Sequence, residues 1–148
     1  MNLPSRNMNP VSRKIILLGV VFLTGVLYAS PPSGVVLIAN EGVPRDHLSG
    51  PALKDVYTGK TTYWDGGQNI VIVLLGAQTD AAVKEVSGMD SSQFKTFWQR
   101  LVFSGRGQQP KKIDDAAALV ALVASTRGAV ALVPAETPLK GVKKLEIK

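Results

Sequence analysis

Few side chains in this 148-residue sequence are arranged for chemistry. The single histidine, His47, sits in a polar stretch with no cysteine anywhere in the chain. A zinc site of the usual kinds needs several Cys or His ligands, so none can be assembled here. A Ser-His-Asp triad would have to use His47, and no G-x-S-x-G elbow exists to present a serine. Asp114-Asp115 is a pair of carboxylates, the type used in general acid–base work. It stands just before an apolar segment, where a helix N-cap is expected. Ser104-Gly105-Arg106-Gly107 sets two glycines beside an arginine. Main-chain N–H groups in such a turn can form an anion-binding nest, or the glycines can simply make a turn. It is too short for a dinucleotide fingerprint, and no G-x-x-x-x-G-K-[ST] occurs. These residues argue against an enzyme and call for no cofactor.

The elements that carry these residues can be placed from periodicity. Val35 to Ala39 is short, apolar and β-branched, a buried strand. Asn40 to Asp46 reads as a loop. Ser49 caps a short helix with Pro51 in its first turn and Gly59 at its end. Leu53, Val56 and Tyr57 share one face of it. Lys60 to Asn69 is polar and glycine-rich, hence a turn; Tyr63 and Trp64 within it either fold back on the core or cover a partner site. Ile70 to Leu75 is an unbroken apolar run, as in a strand covered on both faces. Thr79 or Asp80 caps the next helix, which ends at Gly88. Asp90 or Ser91 caps another, in which Phe94, Phe97, Trp98, Leu101 and Val102 recur at helical spacing. These aromatics, with Phe103, are expected in the core. Ser104 to Lys112 reads as a loop. Asp114 caps a helix over Ala116–Ser125, and Gly128 stops it. Ala129 to Val133 is a strand, and Val142 to Ile147 an edge strand or tail. The order βαβααβ predicts an α/β domain, with a mixed or mostly parallel sheet flanked by helices in three layers.

The first 29 residues have the layout of a secretory signal peptide. Arg6, Arg13 and Lys14 precede the uncharged run Ile15–Leu27, and Ala29 offers a small residue before Ser30. The alternative is an uncleaved anchor, but a spanning helix wants about 20 apolar residues. Residues 30–34 are a linker, and residues 35–148 the domain. A periplasmic or secreted location follows. Three of the 17 basic residues lie in the leader and all 11 acidic residues follow it, so the remainder carries +3. That mild charge suits an anionic ligand or surface, and argues for no nucleic-acid partner. Membrane contact is expected only through an uncleaved leader.

Several motifs in order carry a resemblance. Tyr57-Thr58-Gly59-Lys60 precedes Trp64 and Gly66, then the strand Ile70–Leu75. Phe97-Trp98 and Phe103-Ser104-Gly105 come next, and Thr126-Arg127-Gly128-Ala129-Val130-Ala131-Leu132-Val133 closes the set. Over about residues 43 to 134 the chain is similar to the periplasmic solute-binding proteins of phosphate transporters. That resemblance implies a periplasmic-binding-protein-like single lobe, since full-size members have two lobes with phosphate between them. It also implies phosphate or another small oxyanion as ligand, with Gly76, Ala77, Gln78 and Thr79 in the binding turn and Arg106 as the nearby cation. The family's turn carries Gly-Ser, whereas Ala77 here has no hydroxyl, and Asp80 brings a like charge toward an anion. Main-chain N–H groups at the helix start remain available. The alternative is a single-lobe interaction or accessory module that has lost its ligand, with a protein partner or a homodimer.

Overall fold

The computed structural model describes residues 34–148. The expected leader and the first four linker residues lie outside the described residues. Six strands form one mixed sheet: β1 (Val35–Asn40), β2 (His47–Leu48), β3 (Val71–Leu75), β4 (Lys111–Ile113), β5 (Ala129–Pro134) and β6 (Val142–Ile147). Their order across the sheet is β2-β6-β1-β5-β3-β4. β1 runs antiparallel to β5 and β6, while β3 runs parallel to β5 and β4.

Alternation along the central strands builds two cores. Leu37, Ala39, Val130 and Leu132 face helices α1 (Gly50–Tyr57), α2 (Asp80–Ser87) and α3 (Ser91–Phe103). Ile38, Ala129, Ala131 and Val133 face α4 (Ala116–Ser125) on the other side. Strands that are apolar on both faces must be covered on both, which gives the expected three layers.

Local signals set most helix ends. Ser49 Oγ accepts from the Ala52 N–H at 3.2 Å. Asp90 and Gln93 form a reciprocal capping box at the start of α3. Gly88 takes the left-handed conformation after α2.

Five expectations need correction. Lys111–Ile113 is a strand, not loop; its two exposed lysines carry no apolar signal, and the free edge of β3 recruits it. β6 is an interior strand, because His47–Leu48, expected in a loop, pairs outside it and leaves Leu145 only 1% exposed. Asp115, not Asp114, caps α4, accepting from the Ala118 N–H at 2.7 Å. Gly128 does not stop α4, whose C-cap is Thr126. Phe103 is 91% exposed rather than in the core. It lies nine residues beyond Phe94, so at 3.6 residues per turn it points about 180° away from the buried stripe. Val102 has likewise rotated out, to 37% exposure.

The two ends of the domain are tied by buried polar contacts. Asn40 Nδ2 donates to the Val123 and Ala124 carbonyls at 2.9 and 2.8 Å, satisfying the carboxyl end of α4 from β1. Tyr57 is fully buried, and its hydroxyl has no well-formed hydrogen bond among the described residues. Burial pushes its phenol far up, and proximity to the Leu132 main chain offsets this only slightly.

Two outcomes are expected. Asn40→Ala removes two hydrogen bonds to the carboxyl end of α4 and should lower stability by about 1–3 kcal/mol in urea unfolding. Tyr57→Phe removes a buried unpaired hydroxyl and should leave Tm unchanged or raise it. The unfolded chain releases this phenolic proton near its ordinary value of 10.0, while the folded protein retains it. Tyr57 therefore has no pH-dependent effect on stability below pH 10 and lowers stability as pH rises above it. Tyr57→Phe should flatten the alkaline decline in Tm; an unchanged decline would assign it to other groups.

Candidate functional site

The parallel strands β3 and β4 both end at one edge of the domain, where open α/β sheets bind ligands. After Leu75 the chain turns at Gly76 (φ 39°, ψ −144°), then passes through a 3-10 turn, Ala77–Thr79, into α2. Ala77 and Gln78 are exposed, and the first N–H groups of such a turn lack intrahelical partners. Thr79 is buried, and its hydroxyl donates to the Leu75 carbonyl at 3.3 Å. It therefore fixes the turn and does not face solvent. Asp80, partly exposed, opens α2, where its charge favours the helix dipole.

Asp114, which follows β4, leans onto the same turn. A Cβ at residue 76 would stand 2.9 Å from Asp114 Oδ1. Glycine is therefore needed both for the positive φ and for the approach of this carboxylate. The sequence predicts a helix cap for the Asp114-Asp115 pair. Only Asp115 caps, and a doubled acid where one suffices was the available signal.

Arg106 does not join this turn. It lines a groove of about 990 Å³, walled by the 58–63 and 105–108 segments and floored by Ile70, Ile72 and Trp98. Asn69 and Ile70 precede β3, and residues 105–108 precede β4, whereas Gly76 and Asp114 follow those strands. The groove and the turn thus lie at opposite ends of the β3–β4 pair. The five residues of β3, at 3.3 Å rise, make it about 16 Å long.

The ordered motifs are mostly scaffold for this groove. Trp98 Nε1 donates to the Tyr57 carbonyl at 3.2 Å. A Cβ at Gly59 would fall 2.5 Å from Leu101 Cδ1, and one at Gly107 3.0 Å from Trp98 Cζ3. Trp64 folds back on the core, where its Nε1 donates to the Gly128 carbonyl at 2.9 Å. Gly128 itself admits no side chain, since a Cβ there would lie 2.0 Å from the Asn69 carbonyl oxygen. Tyr63 stays 59% exposed at the groove.

Catalytic chemistry finds no second partner. His47 lies exposed on β2, opposite Glu146 of β6. Among the described residues, no group of three His, Cys, Asp or Glu is placed to hold a metal.

No family model matches the chain, and no curated protein matches it. Solved structures do. A Clostridium perfringens protein assigned as a phosphate ABC transporter substrate-binding protein, seen with bound phosphate, superposes with a TM-score of 0.60 at 21% identity. The match covers 77% of this chain and 44% of that one. An ABC-type phosphate transport receptor from Vibrio cholerae gives a TM-score of 0.52 at 20% identity, over 77% and 46% of the two chains. A phosphate-binding protein from Stenotrophomonas maltophilia gives 0.50 at 18%, over 78% and 39%. The chain spans less than half the length of these structures. It has the fold of the phosphate-transporter solute-binding proteins, over the extent of a single periplasmic-binding-protein-like lobe.

Proposed function

We propose that this is an exported solute-binding protein that takes phosphate, or a similar protonated oxyanion, at the Gly76–Thr79 turn. The observation that carries this is the turn itself. The exposed residues Ala77 and Gln78 begin the turn that leads into α2, where main-chain N–H groups lack intrahelical partners, in a fold shared with phosphate-binding proteins. The leader layout supports export, and no described helix is long and apolar enough to cross a membrane. The similar solved proteins bind solutes rather than transform them, which fits a non-enzyme.

The acids at the turn set a chemical condition on the ligand. Asp114 beside Gly76, and Asp80 at the start of α2, repel any bare anion. A carboxylate only accepts hydrogen bonds, so an oxyanion sits well beside it when it carries an O–H to donate. Hydrogen phosphate has one; sulfate at neutral pH has none. Ala77 supplies no hydroxyl donor, so main-chain groups must do most of the holding.

Calorimetry with phosphate and sulfate tests this. Millimolar phosphate should give heat and raise Tm, and sulfate should do so less. Asp114→Asn should narrow the preference by admitting sulfate. Ala77→Ser adds a donor and Asp80→Asn removes a like charge, so each should tighten phosphate by up to about tenfold, one hydrogen bond's worth. No heat and no Tm shift with phosphate would end the proposal. Binding that ignores all three substitutions would place the site elsewhere. For export, the secreted protein should begin at Ser30 on N-terminal sequencing; a retained leader would mean anchoring.

A further inference from the structure

The groove at the amino ends of β3 and β4 has no part in the anion turn, yet its surface is unusual for this molecule. Among the described residues, four large hydrophobic side chains are exposed: Tyr63, Val102, Phe103 and Leu139. Tyr63 lines the groove with Phe97, Trp98 and Leu101 of α3, whereas Val102 and Phe103 lie outside it. An exposed tyrosine beside the partly buried Phe97 in one concavity is the mark of a contact surface rather than of scattered apolar surface.

The charge there has one sign. The groove is lined by Lys60 and Arg106 and by no acidic residue. From Arg100 to Lys112 the chain carries four basic residues and no acid. Among the described residues Arg106 has no acidic partner; its Nε donates to Ser104 Oγ at 3.2 Å, which steers the guanidinium and leaves its terminal NH2 groups open. Lys60 has only a loose 3.6 Å contact with Asp55, itself on α1. A guanidinium with two open NH2 groups matches a carboxylate in geometry as well as charge.

We propose that this groove is a docking site for an acidic segment of a partner protein, one carrying Asp or Glu next to an aromatic or aliphatic anchor. The acid pairs with Arg106 and Lys60, and the anchor packs against Tyr63 and Phe97. The groove, at about 990 Å³, is far too large for an inorganic oxyanion and is the size that holds several side chains. It is also concave, whereas a bilayer is broad and flat and would leave it unfilled. Charge complementarity of this kind makes association fast and salt-sensitive.

Panning a random peptide display library on the purified protein tests the proposal without a known partner. Selected peptides should be enriched in Asp or Glu beside a hydrophobic residue. The best of them, made synthetically, should lose at least tenfold in affinity with Arg106→Glu and with Tyr63→Ala, and should weaken as salt rises. Tyr63 is exposed, so its substitution should leave Tm and the phosphate response unchanged, which separates this outcome from failure of the anion proposal. Selected peptides without acids, or affinity indifferent to both substitutions, would overturn it. So would binding to phosphatidylglycerol vesicles that Tyr63→Ala abolishes, which would assign the patch to a membrane. Self-association in light scattering lost with the same substitution would assign it to a second copy of this chain.

Discussion

The indole of Trp98 is the joint on which one whole layer depends. Its ring packs at 6.1 Å from Phe94 and edge-on to Phe97, while Phe94 in turn meets Tyr57. Its N–H is satisfied by the Tyr57 carbonyl at the last residue of α1. Gly59 and Gly107 come so close to the Trp98–Leu101 wall that neither tolerates a side chain without displacement. One aromatic residue thus fixes α1 against α3 and holds the two loops that form the groove. A large ring buried with its single donor paired contributes both area and orientation. The glycines follow from the ring, which is why they recur in the sequence on either side of it.

A second lock works across the sheet. The Gly128 carbonyl accepts from both Trp64 Nε1 and the Val71 N–H. It therefore ties the 60–69 loop to the start of β3 and the entry to β5. The Asn69 carbonyl occupies the space where a side chain at 128 would sit. β3 and β5 are parallel neighbours from distant parts of the chain, and parallel pairs have no hairpin to set their register. This polar contact supplies what a hairpin would have supplied.

Much of this was legible in the sequence. Apolar runs at Val35–Ala39, Ile70–Leu75 and Ala129–Val133 became the three central strands, because strands buried on both faces leave no polar alternation. Ser49, Asp90 and Gly88 act locally, so their helix ends could be read from neighbours alone. The misread parts depend on distant partners. Lys111–Ile113 is a strand only because β3 offers a free edge. Val142–Ile147 is interior only because two residues, His47 and Leu48, close over it. Phe103 looks like core by type, and only the accumulated helical rotation from Phe94 turns it outward. The Gly76–Thr79 turn is contiguous in sequence, whereas Asp114 reaches it from beyond another strand. Arg106 was grouped with the turn by chemistry, and strand direction sets it at the other end.

That separation gives the lobe an electrical polarity that follows from its parallel strands. Lys60 and Arg106 collect where β3 and β4 begin, and Asp80 and Asp114 where they end. β3, which lies between the two groups, is about 16 Å long, more than a Debye length at physiological salt, so each group acts mainly on its own surroundings. The basic end can attract acids without drawing them to the turn. At the acidic end Asp80 and Asp114 repel a bare oxyanion, so binding there would depend on a proton carried by the ligand and on main-chain N–H groups. A residue such as Arg106 would give general anion affinity if it reached the turn. Placed across the sheet, it would leave oxyanion binding at the proposed turn dependent on hydrogen-bond geometry, which distinguishes protonated from bare oxyanions where a positive charge would not.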